Sequence, residues 1–253
     1  MKPSFRSLYV TVPVILVLLS VAGISRASII GFQDFSNFTI NVGDSSASPT
    51  VTIASGIGSS INLINSHAED RSIFCDTPQS TSPFTASFTF QGAGGNPDGT
   101  CFVIQNSSSG ASALGFSDGY SGIAKSAAVA LELDNVGDTN TGLYTNGNTG
   151  GSTSSSPVNL FSNDPINVSL SYNGSVLSET LTDATTSATF SSSYLLNLPS
   201  VIGGSSAFVG FAASSNFGSS QTISNFQFNS VPEPASLGLL AAGAVGALLR
   251  RRR

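Results

Sequence analysis

Ile166-Asn167-Val168-Ser169-Leu170-Ser171-Tyr172, then Asn173-Gly174, then a return over residues 176–181, forms two alternating runs around a turn dipeptide. Apolar and polar residues alternate with period two, so an extended chain shows one oily face and one wet face. Asn-Gly is the pair best suited to the two positive-φ positions of a type I′ turn, and the segment therefore predicts a β-hairpin. Phe84-Thr85-Ala86-Ser87-Phe88-Thr89-Phe90-Gln91 alternates in the same way, and further strand candidates cover 30–40, 61–65, 100–106, 127–134, 207–213 and 222–228. Nothing between them keeps a 3.6-residue period over three turns. Many short strands with no βαβ rhythm predict an all-β sandwich with Greek-key connections, interrupted by a Gly/Ser/Thr-rich loop at 150–156.

Charge narrows the function classes. Only 9% of the chain is charged, and seven of the nine basic residues (Lys2, Arg6, Arg26 and Arg250 to Arg253) lie near the ends. Between Ser28 and Ser230 two bases, Arg71 and Lys125, face thirteen carboxylates, a net charge of −11. No row of phosphates could be neutralised by such a body, so nucleic acid is excluded as a partner. A single histidine, His67, with Cys75 and Cys101 rules out zinc ribbons and most histidine-dependent catalysis.

The ends read as addresses. Lys2 and Arg6 precede a mostly apolar run over 8–24, and Ser25-Arg26-Ala27 offers small residues before a cut at Ala27–Ser28. This is the layout of a secretory signal peptide cleaved by signal peptidase; an uncleaved anchor is the alternative. Export into an oxidising compartment permits a Cys75–Cys101 disulfide, worth roughly 3–4 kcal/mol in the chain-entropy treatment; two buried thiols are the other option. At the other end, Val231-Pro232-Glu233-Pro234 is followed by an apolar run to Leu249 and then Arg250 to Arg253. Residues 235–249 would make a helix of about 22 Å, short for a full span, with the arginines held on the cytoplasmic side. The order Pro-Glu-Pro, small apolar helix, arginine cluster resembles the PEP-CTERM sorting signal of exported bacterial proteins. The same arrangement is catalogued as the C-terminal motif of ice-binding proteins. That resemblance implies recognition by a membrane exosortase, cleavage near Pro232, Glu233 and Pro234, a transient inner-membrane anchor, and delivery to the cell surface or extracellular polysaccharide. Three parts are thus expected: a signal peptide over 1–27, a β-sandwich over 28–230 and a sorting segment over 231–253.

Within the body, the order of segments resembles the legume-type lectins and their concanavalin A-like jelly roll. The segments are 84–91, then Pro97-Asp98-Gly99-Thr100-Cys101-Phe102, Gly119-Tyr120-Ser121-Gly122, Ala128-Val129-Ala130-Leu131-Glu132-Leu133-Asp134, 167–172, Phe208-Val209-Gly210-Phe211-Ala212-Ala213 and 221–228. The resemblance implies sugar binding at Asp98, with Gly119 from a Gly-rich loop, Asp138, and Ser215 from the Ser214-Ser215-Asn216 loop. Glu132 and Asp134 fall on metal-ligand positions, two apart and so on one strand face, and Asp138 is the only later carboxylate nearby. Asn140 stands where the family has a histidine, which leaves at most one loosely held calcium ion as cofactor. Val136 occupies the region of the family's sugar-stacking aromatic, with Tyr120 or Tyr144 as candidate substitutes. Read without the resemblance, Asn96-Pro97-Asp98-Gly99 is simply a β-turn. The implied function is an exported lectin-like surface protein, weakly glycan-binding or a scaffold, and not an enzyme. The alternatives are a glycoside hydrolase using Glu132 and Asp134, or ice binding. The first meets Val136 and Gly137 where its second carboxylate belongs and a chain without tryptophan; the second needs a regular threonine ladder.

Overall fold

The computed structural model describes residues 29–43, 49–54, 58–65, 68–81, 83–117, 119–133 and 138–230. The expectations for the export signal, the sorting helix and Asp134 fall outside these residues. Fourteen strands follow in order: β1 Ile29–Gly31, β2 Phe38–Val42, β3 Thr50–Thr52, β4 Ser60–Asn65, β5 Glu69–Cys75, β6 Gln79–Ser80, β7 Phe84–Gln105, β8 Ser126–Leu133, β9 Thr139–Thr145, β10 Thr153–Ser154, β11 Ile166–Tyr172, β12 Val176–Asp183, β13 Thr189–Leu195 and β14 Ser206–Ser230. A short helix, α1 Leu198–Ile202, is capped by the Asn197 side chain and ended by Gly203 at φ 72°.

The fold is an all-β jelly-roll sandwich. In the front layer β10, β9, β8, the second half of β7, the first half of β14, β5 and β2 lie side by side, all antiparallel. The back layer runs β13, β12, β11, the first half of β7 and the second half of β14, continued by β1 and by β4 with β3. Strands β7 and β14 therefore belong to both layers. From sequence each reads as two strands, 84–91 with 100–106 and 207–213 with 222–228. The structure joins them, because register shifts at Ser214/Ser215, Ser215/Phe217 and Ser224/Gln227 bend the pair without ending it.

Between the layers lies a phenylalanine core. Phe211 packs against Phe32, Phe88, Phe102 and Phe226 with ring centroids 4.9–5.8 Å apart, the spacing at which tilted aromatic pairs attract. A second, smaller core covers the outer side of the front layer, where Ala128, Ala130 and Ala212 leave room for Tyr120, Ile123 and Ala113 of the long loop after β7.

Two local expectations are corrected. The hairpin forms, but its turn sits one residue later: Asn173 N–H bonds Val176 O at 3.1 Å, and Gly174 alone takes the positive φ, 104°. Asn173 Oδ1 instead accepts the N–H groups of Ser175 and Val176, the ordinary way an Asx side chain closes a turn. Cys75 and Cys101 are both buried thiols, not a disulfide. Cys75 faces the core between the layers while Cys101 faces the outer cluster, so their Cβ vectors point to opposite sides of the sheet.

Candidate functional site

Where β7 and β14 bend from back to front, their backbones converge and expose polar side chains at one corner. Asp98 lies on β7 just before Gly99, which pairs with Glu132 of β8. Its carboxylate is held on both oxygens: Ser214 Oγ donates to Oδ2 at 3.1 Å, and Asn216 Nδ2 donates to Oδ1 at 2.6 Å. The Ser214 hydroxyl in turn accepts the Gly119 N–H at 3.0 Å. Gly119 is buried with φ 69°, and a Cβ there would stand 2.2 Å from Ala213 N, so only glycine lets the loop lie on β14. Beneath, Ser219 Oγ bonds the buried Ser215 hydroxyl at 2.8 Å and Gln221 Nε2 bonds Ser214 O at 3.0 Å.

These groups border a cleft of about 340 Å³ lined by Glu69, Asp70, Asp98, Phe116, Ser117, Ser215 and Asn216, together with Ala68. Phe116 is 60% exposed, an unusual position for a phenylalanine, and it presents an open aromatic surface beside the Asp98 carboxylate. Glu69 is tied down by the Asn65 N–H at 2.8 Å and by the buried Arg71 at 3.4 Å.

Of the residues expected to bind sugar, the structure brings Asp98, Gly119 and Ser215 together. Asp138 is placed elsewhere, in a separate polar cleft with Ser154, Ser156 and Asn159. Asp138 directly precedes Thr139, which pairs with Leu133 at the start of β9. Neither Tyr120 nor Tyr144 serves as the aromatic surface, since both are buried. Tyr120 bonds Ser126 at 2.7 Å, and burial pushes its hydroxyl up to about 12.

A family model, the legume lectin domain, matches residues 32–239. The chain belongs to the legume lectin family. A second model, the PEP-CTERM protein-sorting motif, matches residues 230–253, so the lectin-like domain is joined to a signal for export and surface sorting. Solved legume lectins share the fold at low identity. Lectin II from Ulex europaeus is 11% identical, with a TM-score of 0.62 over 81% of this chain and 98% of its own. Arcelin-5, a lectin-like defense protein from Phaseolus vulgaris, is 12% identical, with a TM-score of 0.65 over 82% and 99%. The acidic lectin of winged bean, solved with methyl-α-D-galactose, is 12% identical, with a TM-score of 0.65 over 82% and 100%. No curated protein matches the sequence.

Legume lectins carry a cation near this corner, and the described residues fit one poorly. Glu132 is buried, and its carboxylate accepts the Tyr144 hydroxyl. Burial pushes the Glu132 carboxyl above its ordinary range, against the opposing bonds from Tyr144 and Ser152. With Asp138 in its own cleft, no group of three or more histidine, cysteine, aspartate or glutamate side chains forms among the described residues.

Phe116 and the Glu69–Asp70 pair were not singled out from sequence as binding residues, and Ser214 and Asn216 were named only as members of the loop that carries Ser215. An aromatic after Gly115 looks like any core residue, and a signal exists only in hindsight: Gly115 and Gly119 bracket it, each too close to neighbouring backbone for a side chain.

Proposed function

We propose that this protein is an exported, non-catalytic lectin-like module that holds a saccharide weakly at the Asp98 corner. The observation that carries the reading is the two-sided fixing of the Asp98 carboxylate by Ser214 and Asn216 beside the exposed ring of Phe116. A fixed carboxylate accepts sugar hydroxyls, and an open aromatic face covers the apolar side of a pyranose. The cleft is shallow and few contacts converge on it, which favours weak binding and a scaffold role in extracellular polysaccharide. Glu132, one carboxylate of the glycoside hydrolase alternative, is buried and accepts the Tyr144 hydroxyl, which supports the non-catalytic reading. Any calcium would be held loosely and would not be needed to fix Asp98.

Sorting follows the ends of the chain. Signal peptidase cleaves before Ser28, the tail anchors the protein transiently in the inner membrane, and exosortase removes it near Pro232–Pro234. Intact mass of the surface-released protein tests this, and a mature chain still ending at Arg253 would contradict it. For the site, a glycan array followed by calorimetry with and without calcium is the test. Weak, calcium-independent binding that disappears in Asp98→Ala is expected; binding that survives Asp98→Ala would reject the site.

A further inference from the structure

The Asp98 corner carries a charge as well as a shape. Three carboxylates, Glu69, Asp70 and Asp98, line the same cleft. Of the two bases in the body, Arg71 is fully buried and ion-paired to Glu69 at 3.4 Å. Lys125 precedes the far end of β8, where Ser126 pairs with Gln105 while Glu132 pairs with Gly99 beside Asp98; the strand rise separates the two ends by roughly 20 Å. By formal charge Arg71 offsets Glu69, and Asp70 and Asp98 leave two negative charges on the cleft. Asp70 lies opposite Ser214 in the β5–β14 register. Asp98 takes its bonds from neutral donors, the Ser214 hydroxyl and the Asn216 amide, which orient the carboxylate without cancelling its charge.

Phe116 supplies the apolar part of the lining. Its backbone is closed onto Ser121 by a two-way bridge, N–H to O at 3.2 Å and the return at 2.8 Å, so the exposed ring is presented from a fixed base. An aromatic face beside carboxylates attracts a cation through its quadrupole, adding to the charge. The carboxylates do not gather into a metal-holding group among the described residues, so their spread suits an extended organic cation better than a bare ion.

Resting on the saccharide reading of this corner, we propose that the ligand is an amino sugar with a free, protonated amine, and that the cleft turns away uronic acids and other anionic saccharides. The ammonium group goes to Asp70 and Asp98, and the apolar side of the pyranose covers Phe116. N-acetylation removes the charge that these carboxylates select, and a uronate adds like-charge repulsion. Asp70 is therefore a specificity-determining residue, and a polysaccharide with free amines is the matching partner.

Calorimetric titration of the exported protein with short β-1,4-linked glucosamine oligomers, their N-acetylated counterparts and oligogalacturonate tests this. Mildly acidic buffer keeps the amine protonated and the carboxylates charged. The glucosamine oligomer is expected to bind about tenfold tighter than its N-acetylated counterpart, from two exposed charge contacts and one cation–ring contact. Oligogalacturonate is expected not to bind, and about 1 M salt should erase most of the amine preference. Asp70→Asn should cut that preference about threefold, with the affinity for the N-acetylated oligomer and the melting temperature unchanged. Asp76→Asn removes the same charge just past the far end of β5, roughly 20 Å away, and should leave the preference intact. Equal affinity for the amine and N-acetylated forms would overturn the proposal while the saccharide reading stands. An equal loss of preference in both variants would also overturn it, assigning the effect to the charge of the whole body. Binding of none of the three oligomers would overturn it too, and the glycan array then decides whether the saccharide reading survives.

Discussion

The outer sides of the two layers are built by the same two long strands and have opposite characters. On the front, β14 presents Gly210, Ala212 and Ser214 in alternation, and β8 presents Ala128 and Ala130. These small residues let the loop after β7 dock, so closely that a Cβ on its Gly119 would lie 2.2 Å from Ala213 N. On the back, β7 presents Ser87 and Thr89, β11 Asn167 and Ser169, and β12 Thr180 and Thr182, along a shallow groove of about 380 Å³. Its hydroxyls and amides bond one another across strands, as in Thr89–Asn167 at 3.0 Å and Asn225–Thr89 at 3.1 Å. The contrast shows how one strand pair can be written for two solvents. Small residues admit a second layer of chain, and with it a corner able to hold a ligand; hydroxyls leave a uniform surface that water covers.

The largest expected effect is on the front. Gly119→Ala forces a side chain into the β14 backbone at a positive φ, so it should cost about 2–3 kcal/mol, lower the melting temperature and abolish saccharide binding. A stable, binding-competent Gly119→Ala protein would break the comparison, because the docked loop would then not be what forms the corner.

Next in size is a pH effect from the edge where the layers meet. Glu179 is buried, with Thr141 Oγ1 donating to one carboxylate oxygen at 2.7 Å and the Tyr194 hydroxyl to the other at 2.8 Å. Burial raises its carboxyl above the ordinary 4.5, outweighing those two bonds. A raised folded-state value means its contribution is fully present below the unfolded value and is lost as pH climbs from 4.5 through the raised value. Asp34 and Asp183, lowered mainly by hydrogen bonds from Ser36 and Thr186, act oppositely and lose stability only as pH falls below 3.8. Melting temperatures should therefore decline on the alkaline side of pH 4.5, and Glu179→Gln should flatten that decline; an unchanged profile in the variant would remove Glu179 as its source.

The smallest effect belongs to the back. Ser169→Ala on the exposed face of β11 should change stability by less than about 0.5 kcal/mol and leave binding intact. A large loss in denaturant melts would show that the hydroxyl network is structural, and would sharpen the contrast in the other direction.

Much of this was legible in the sequence because period two survives wherever one strand face is buried. Residues 166–172 alternate buried and exposed without exception. Alternation says nothing about where a strand changes layer, so β7 and β14 read as four strands until the pairing register was known. Parity between distant strands is equally invisible, and for that reason the two cysteines could be paired on paper while facing apart. Asp98, Gly119 and Ser215 were found through resemblance, since their grouping depends on the bend. Phe116 escaped because exposure, not residue type, sets it apart.

On the proposed reading, ligand chemistry is confined to the front corner. Backbone amide NMR of the exported protein, titrated with the best saccharide from the array, tests it most directly. Shifts are predicted for 68–70, Asp98, 116–119 and 214–216, with Ser87, Thr89, Asn167 and Ser169 unmoved. Shifts concentrated on those four back-layer residues, with the Asp98 corner unchanged, would contradict it.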